Sequence, residues 1–203
     1  MNEDILIYGN AEGNYNIPID VYGGICVDIG ANEGNFTKRA ASIFSVVHSY
    51  EPNMILANKI KNLKIQNNNV FNEAVGDSVS TTELIMHSNR DSGSCAIKNA
   101  IESTIQTKND WTNIVISNVP MVDIETVLDR VGGEIDYLKL DCENSESLIL
   151  LGKDLSKIRY IGIEIHNQMR EENWNRLKNW IDSTHSGFPL YNGNHIETLL
   201  TRK

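Results

Sequence analysis

The sequence predicts an α/β fold: a mostly parallel sheet with helices on both faces, ending in an antiparallel hairpin. Three observations support this fold class. Short apolar runs rich in Ile, Val and Tyr alternate with segments of helical period, one of these runs leads into a glycine-containing turn, and an Asn-Gly pair separates the last two. The length of 203 residues, 40% of them apolar, is that of one globular domain. Residues 23–203 are predicted to form that domain, and residues 1–22 an accessory hairpin.

The first half of the domain contains three predicted strands, at residues 25–29, 46–50 and about 70–75. Apolar residues recur at helical spacing after each of the first two strands, which predicts a helix at both places. Pro52 suits the first turn of the second helix because its fixed φ matches helical backbone. The pattern is that of two consecutive strand-helix units.

The middle of the chain is less regular. Strands are predicted at residues 83–87 and 114–116, and the polar stretch 88–113 between them has little periodicity. A loop of this length inside a compact domain is usually a lid, a binding loop or a disordered segment. We therefore expect irregular structure here, with Arg90 to Ser94 as a candidate substrate lid.

The second half resumes the alternation of strands and helices. Asp123 is a good N-cap for a helix that Gly132 and Gly133 end. The next predicted elements are a strand at 135–140, a short helix at 145–151, a strand at 159–165, and a helix whose apolar stripe is Trp174, Leu177, Trp180 and Ile181. Asn192-Gly193 then predicts a hairpin between the apolar runs 188–190 and 196–200.

Charge and cysteine content restrict the partners and the compartment. The 18 Lys and Arg residues against 27 Asp and Glu residues give a net charge of -9, which repels a phosphodiester backbone, so no nucleic-acid partner is expected. The cysteines Cys26, Cys95 and Cys142 are odd in number and lack C-x-x-C spacing, which predicts a cytoplasmic protein. No apolar run approaches the roughly 18 residues of a membrane-spanning helix, so no membrane insertion is expected.

The turn after the strand at 25–29 has the features of a nucleoside-binding loop. Gly30 and Gly34 allow the backbone to approach a ligand closely. Glu51 ends the next predicted strand, where a carboxylate can accept hydrogen bonds from both hydroxyls of a ribose. This pattern suits either a dinucleotide or S-adenosylmethionine.

The sign of the charge favours S-adenosylmethionine. A dinucleotide would place an anionic pyrophosphate against Asp28 and Glu33, whereas S-adenosylmethionine carries a cationic ammonium and a sulfonium. In a partly desolvated cleft this difference is worth on the order of several kcal/mol. The third glycine of the dinucleotide fingerprint is also absent.

Five motifs in order resemble the FkbM family of methyltransferases. They lie at residues 27–36, 50–53, 72–77, 136–143 and 163–166. The resemblance covers about residues 20–170 and implies a Rossmann-like, class I methyltransferase fold with a seven-stranded sheet. It also implies O-methylation of hydroxyls on sugars, glycans or polyketide-type products. Asn144 stands where the family usually has glycine, so the turn there is expected to differ.

Cofactor contacts are predicted along the first three strands. The predicted residues are Asp28, Gly30, Asn32, Gly34, Glu51 and Pro52, with Glu73 or Asp77 as the partner of the adenine amino group.

Two neighbouring strand ends supply candidates for removing the proton of an acceptor hydroxyl. Asp141 and Glu143 follow one strand, and Glu164, His166 and Asn167 end the next. We expect Asp141 and His166 to share the proton transfer, with His166 as the base because the ordinary pKa of histidine lies nearest neutrality. In an alternative, oxygens of Asp141, Glu164 and Asn167 hold a divalent ion such as Mg²⁺, which acidifies the hydroxyl.

Three function hypotheses follow. The first is methylation of a sugar or glycan hydroxyl, for which a deoxyhexose such as rhamnose is one acceptor. The second is methylation of a polyketide-type small molecule. The third is a catalytically inactive module that uses the cofactor fold to bind a glycan or a protein. Because the chain is short for the resemblance, we expect it to be fused to, or associated with, glycosyltransferases that build the acceptor.

Overall fold

The structure is a computed structural model, which describes residues 5–7, 15–87, 95–97, 111–165, 169–192 and 196–203. Its strands are β1 (Ile5–Ile7), β2 (Asn16–Pro18), β3 (Ile25–Ile29), β4 (Val46–Tyr50), β5 (Asn68–Phe71), β6 (Ala74–Gly76), β7 (Ser80–His87), β8 (Cys95–Ile97), β9 (Trp111–Asp123), β10 (Ile135–Leu140), β11 (Ile158–Ile165), β12 (His185–Ser186) and β13 (Ile196–Arg202). Its helices are α1 (Asn35–Ala40), α2 (Met54–Asn62), α3 (Ile124–Arg130), α4 (Glu146–Leu150) and α5 (Glu171–Ile181). Across the described residues, every helix is too short or too polar to serve as a membrane span.

Seven of the described strands form the main sheet, in the order β12-β13-β11-β10-β3-β4-β5. The strands from β11 to β5 run parallel, and β13 runs antiparallel to both β11 and β12. The predicted fold class is therefore confirmed. The direction of winding reverses between β3 and β10, and ligands of such sheets bind beyond the carboxyl ends of the strands at this reversal.

Alternating side chains build a core on each face of the main sheet. On β11, Ile161 and Ile163 pack on one face with residues of α3 and α5. Tyr160 points to the other face, where it joins Tyr137 and Phe36. Successive side chains of a strand point to opposite faces, so a strand buried on both faces appears in the sequence as a continuous apolar run.

A second sheet, in the order β6-β9-β7-β8, replaces much of the predicted irregular middle. β8 lies inside the stretch 88–113, and β9 extends the strand predicted at 114–116 to 13 residues. β7 pairs antiparallel with both β8 and β9. The rest of the stretch, at 88–94 and 98–110, lies outside the described residues, and so does the candidate lid Arg90 to Ser94.

The prediction of a single strand at 70–75 is wrong, because the chain leaves the main sheet between β5 and β6. β6 pairs with β9 in the second sheet. Asn72 fixes the break, since its Nδ2 donates to the backbone oxygens of Glu51 and Pro52, 3.0 and 2.9 Å away. This turn places the first residues of the second sheet beside the end of β4.

The C-terminal antiparallel hairpin is present, but its first strand begins earlier than predicted. β12 is His185–Ser186, and residues 188–190 are not a strand. The imidazole of His185 is buried and its Nε2 lies 2.9 Å from the backbone oxygen of Ile158, which anchors β12 at the sheet edge. The connection to β13 is therefore longer than the two-residue turn expected at Asn192-Gly193, and Gly193 lies outside the described residues.

At the N-terminus, β1 pairs antiparallel with β2, as predicted for residues 1–22. Residues 15–21 are not separate from the main core. Tyr15, Ile17 and Val21 are buried in the same cluster as Phe36. The division of the chain at residue 22 stays a prediction.

Candidate active site

A cleft opens at the carboxyl ends of β3, β4 and β10, the position where ligands of such sheets bind. The second sheet supplies part of its wall. Four carboxyl side chains line the cleft, those of Glu51, Glu73, Asp141 and Glu143. No Lys, Arg or His among the described residues does so. The cleft therefore suits a ligand that carries positive charge.

Gly30 brings the ends of β3, β4 and β10 close together. Its φ is 78°, in the left-handed region, and its N–H donates to the backbone oxygen of Tyr50 at 3.0 Å. A Cβ at this position would lie 1.9 Å from the backbone oxygen of Asp141. Only glycine fits here, which explains physically why this turn carries one.

Replacing Gly30 by alanine is expected to lower the free energy of unfolding by more than about 3 kcal/mol, because left-handed strain and a backbone clash add. Gly152→Ala is the matched control, since Gly152 has a φ of 82° with open space around its Cβ position. Because Gly152→Ala introduces backbone strain but no clash, it should lower the free energy of unfolding by only about 1 kcal/mol. Urea denaturation of both variants measures the difference. Equal losses would contradict the close approach of β3 to β10.

Glu51 is the buried acid of the cleft, 4% exposed. Its Oε2 accepts the N–H of Asn32 at 2.8 Å and its Oε1 accepts the N–H of Asn53 at 2.9 Å. Asn32 has a φ of 51°, which turns the backbone of the loop after β3 toward the end of β4. Burial raises the pKa of Glu51 to about 7, despite the two backbone donors that lower it. The carboxyl group is held rigidly and titrates near neutral pH.

The structure places Asp28 beneath the cleft and not on its lining. Asp28 is fully buried, and its Oδ2 accepts the hydroxyl of Thr37 at 2.6 Å. Its Oδ1 lies 3.2 Å from Nζ of Lys139. Because this ion pair neutralises Asp28, the charge preference of the site rests on the carboxylates that line the cleft.

Lys139 is the functional candidate that sequence reasoning missed. It is 2% exposed, and its Nζ donates to the backbone oxygen of Gly30 at 2.8 Å and lies 3.7 Å from Oδ2 of Asp141. Burial alone would lower the pKa of Lys139, but the charges of Asp28 and Asp141 raise it above its ordinary value. A lysine between two leucines in a buried strand is the sequence signal that could have identified it.

The other predicted cofactor residues divide into two groups. Pro52 and Glu73 line the cleft, and Glu73 is ion-paired with Arg130. Gly34 and Asp77 do not line it. Gly34 instead lies directly before α1, and a Cβ at this position would be in tight contact with the side chain of Ile60 in α2. Asp77 is exposed in the turn after β6.

The turn after β10 keeps a conformation that glycine favours although it contains none. Glu143 and Asn144 have φ values of 50° and 76°, and asparagine tolerates this left-handed region better than most residues. The carboxylate of Glu146 stabilises the turn, because its Oε1 accepts the N–H of Cys142 at 2.9 Å. The turn places Asp141 and Glu143 on the cleft wall.

The two predicted catalytic strand ends lie side by side, since β10 and β11 are parallel neighbours. Glu164, near the end of β11, accepts a hydrogen bond from the hydroxyl of Tyr15 at 3.1 Å. His166 and Asn167 lie outside the described residues, so their roles stay predictions. Within the described ranges, no three His, Cys, Asp or Glu side chains come together in a way that could hold a metal ion.

Comparison with known proteins places this geometry in a family. Residues 28–201 match the family model for the methyltransferase FkbM domain. The fold resembles the crystal structure of a methyltransferase FkbM from Methylobacillus flagellatus KT, with 17% sequence identity and a TM-score of 0.51 over 87% of this chain and 42% of that one. It also resembles an rRNA methylase from Streptococcus thermophilus, with 12% identity and a TM-score of 0.50 over 91% of this chain and 90% of that one.

This chain thus spans less than half the length of the Methylobacillus protein. No protein of curated function matches the sequence. At these identities the solved structures show the shared Rossmann-like methyltransferase fold, which was predicted. The family itself is shown by the match of residues 28–201 to the family model. The chain belongs to the FkbM methyltransferase domain family.

Proposed function

We propose that this chain is an S-adenosylmethionine-dependent O-methyltransferase that acts on a hydroxyl of a sugar or glycan. The observation that carries the proposal is the cleft at the reversal of the sheet, lined by Glu51, Asp141 and Glu143 and by no basic side chain of the described residues. Membership of a methyltransferase family gives this cleft its reaction class.

The residues of the cleft fit S-adenosylmethionine. Each oxygen of Glu51 accepts one backbone N–H and keeps a lone pair that can accept a ribose hydroxyl. Asn32 also lines the cleft. Its Oδ1 is buried and has no hydrogen-bond partner among the described residues. Leu84 and Ile97 of the second sheet form an apolar wall that suits a planar base. The carboxylates suit the cationic ammonium and sulfonium.

The chain's own part in the reaction is to align the acceptor and take its proton. When bound, S-adenosylmethionine would supply an activated methyl group, whose carbon an acceptor oxygen attacks in line while the C–S bond breaks and S-adenosylhomocysteine leaves. Asp141 directly follows β10 at the cleft, its side chain is 26% exposed, and its Oδ2 lies 3.7 Å from Nζ of Lys139. We assign the hydroxyl proton to Asp141 or to His166, the predicted base on the neighbouring strand.

The acidic residues of the same cleft support a sugar acceptor. Carboxylate oxygens accept hydrogen bonds from several hydroxyls at once, as Asp141 and Glu143 can from adjacent sugar hydroxyls. A deoxyhexose such as rhamnose on a glycan is the acceptor we place first, and a polyketide-type alcohol second.

The test is mass spectrometry of the purified chain with S-adenosylmethionine and a panel of deoxyhexose-bearing glycans and polyketide alcohols. We expect a gain of one methylene by a glycan, with release of S-adenosylhomocysteine. Asp141→Asn should lower the rate by about 100-fold or more, as expected for loss of a proton acceptor. Glu33→Gln is the control, because Glu33 is exposed and paired with Lys59 outside the cleft.

The outcomes separate the alternatives. Methylation of a polyketide alcohol alone would contradict the sugar assignment. Binding of S-adenosylmethionine without transfer to any acceptor would favour a catalytically inactive module. Loss of activity in EDTA that Mg²⁺ restores would favour a metal-assisted reaction over direct proton transfer.

A further inference from the structure

Ser145 carries a buried hydroxyl on the cleft lining for which the chain provides no partner. Ser145 is 1% exposed and lines the cleft, and its Oγ has no hydrogen-bond partner among the described residues. Burying a hydroxyl without a partner is unfavourable, and alanine at the same place would avoid that cost. A ligand in the cleft can supply the missing partner.

Helix capping does not explain this serine. Ser145 stands directly before α4, where a serine hydroxyl normally accepts an N–H from the first turn of the helix. Its φ and ψ are -84° and -4°, already helical, and its side chain makes no capping bond. The carboxylate of Glu146 bonds the turn instead, through the N–H of Cys142. The hydroxyl of Ser145 has no structural task in the described chain.

The position of Ser145 indicates which part of the ligand it meets. α4 packs against β6, whose Ala74 and Val75 line the cleft together with Leu84 and Ile97. This apolar wall is the part of the cleft that suits the flat faces of a purine. Glu51 lies elsewhere, directly after β4, and binds the ribose in the function proposed above.

We propose that the hydroxyl of Ser145 hydrogen-bonds the purine base of the cofactor and thereby contributes to recognition of adenine. A serine hydroxyl can donate to a ring nitrogen or accept from the exocyclic amino group. The inference rests on the proposed cofactor. It adds a binding residue from the turn before α4 to the contacts expected beyond the ends of β3, β4 and β5.

The test compares wild type, Ser145→Ala and the control Ser147→Ala by isothermal titration with S-adenosylhomocysteine and with adenosine. Ser147 lies within α4, two residues after Ser145, and does not line the cleft. We expect Ser145→Ala to weaken both ligands by the same factor, about tenfold, because the base loses its partner. Ser147→Ala should leave both affinities unchanged.

Thermal unfolding without ligand separates binding from structure. Because the Ser145 hydroxyl has no partner in the described chain, Ser145→Ala should not lower Tm, whereas a structural serine would. Unchanged affinity for S-adenosylhomocysteine in Ser145→Ala, with normal binding by wild type, would overturn this inference alone. A loss for S-adenosylhomocysteine but not for adenosine would also overturn it. If wild type bound neither ligand, the proposed function would fail with it.

Discussion

Lys139→Met is expected to lower the free energy of unfolding by about 3–5 kcal/mol, because removing one member of a buried ion pair leaves the other without compensation. Lys139 is nearly the same size as methionine, so the substitution removes charge and little volume. Asp28, fully buried, would lose the cation that lies 3.2 Å away. The backbone oxygen of Gly30 would lose its donor. Urea denaturation at neutral pH measures the loss.

Two controls make this result specific. Lys59→Met removes an exposed lysine paired with Glu33 and should cost less than about 1 kcal/mol. The double variant Asp28→Asn, Lys139→Met should recover a substantial part of the loss, because it no longer buries an unpaired charge. If the double variant were as unstable as the sum of the two single variants, the ion pair would not be the reason.

Glu51→Gln is expected to weaken S-adenosylhomocysteine by about 100-fold at pH 8. The ionised carboxylate of the wild type can accept both ribose hydroxyls, and hydrogen bonds to a charged group are worth about 1.5–3 kcal/mol each. Glutamine offers a single oxygen, for which the N–H groups of Asn32 and Asn53 also compete. Isothermal titration measures the change, and Glu33→Gln on the exposed side of the same loop should bind as wild type.

The pH dependence of binding follows from the same residue. Burial raises the pKa of Glu51 to about 7 in the ligand-free chain. Below that pH the group is protonated and must release its proton before it can accept two hydroxyls. Wild-type affinity should therefore fall about tenfold from pH 8 to pH 6 relative to Glu51→Gln, whose side chain does not titrate. Parallel pH profiles for the two proteins would contradict the role of Glu51.

The raised pKa of Glu51 has the opposite effect on the stability of the ligand-free chain as the pH rises. The folded chain binds the Glu51 proton more tightly than the unfolded chain does, so this group's contribution is fully present below its ordinary pKa. That contribution is lost as the pH rises through about 7. Ligand binding thus becomes stronger over the same range in which this carboxyl destabilises the empty cleft.

The elements that were predicted correctly from the sequence are those determined by a local pattern of apolar residues. β3, β4, β10 and β11 are mostly apolar runs because the sheet buries both of their faces. The second sheet was not predicted, since it depends on pairing between β7 and β9 across residues that show no periodicity. The break between β5 and β6 depends on hydrogen bonds from Asn72 to the end of β4, which a one-dimensional pattern does not contain.

The candidate site likewise contains residues that could be found from the sequence and contacts that could not. Gly30, Asn32, Glu51 and Asp141 line the cleft, because each lies at or just beyond the end of a recognisable strand. Their roles in binding and catalysis stay predictions. Residue type and strand position did not reveal that Asp28 faces away from the cleft toward a lysine. Both that pairing and the free hydroxyl of Ser145 are three-dimensional facts, set by the register of β3 with β10 and by the turn before α4.

A crystal structure of the chain with S-adenosylhomocysteine tests the central claim most directly. We expect the nucleoside in the cleft beside Gly30, with both ribose hydroxyls on the carboxylate of Glu51. A cleft that stays empty at saturating ligand, or a nucleoside whose ribose contacts other residues, would contradict it.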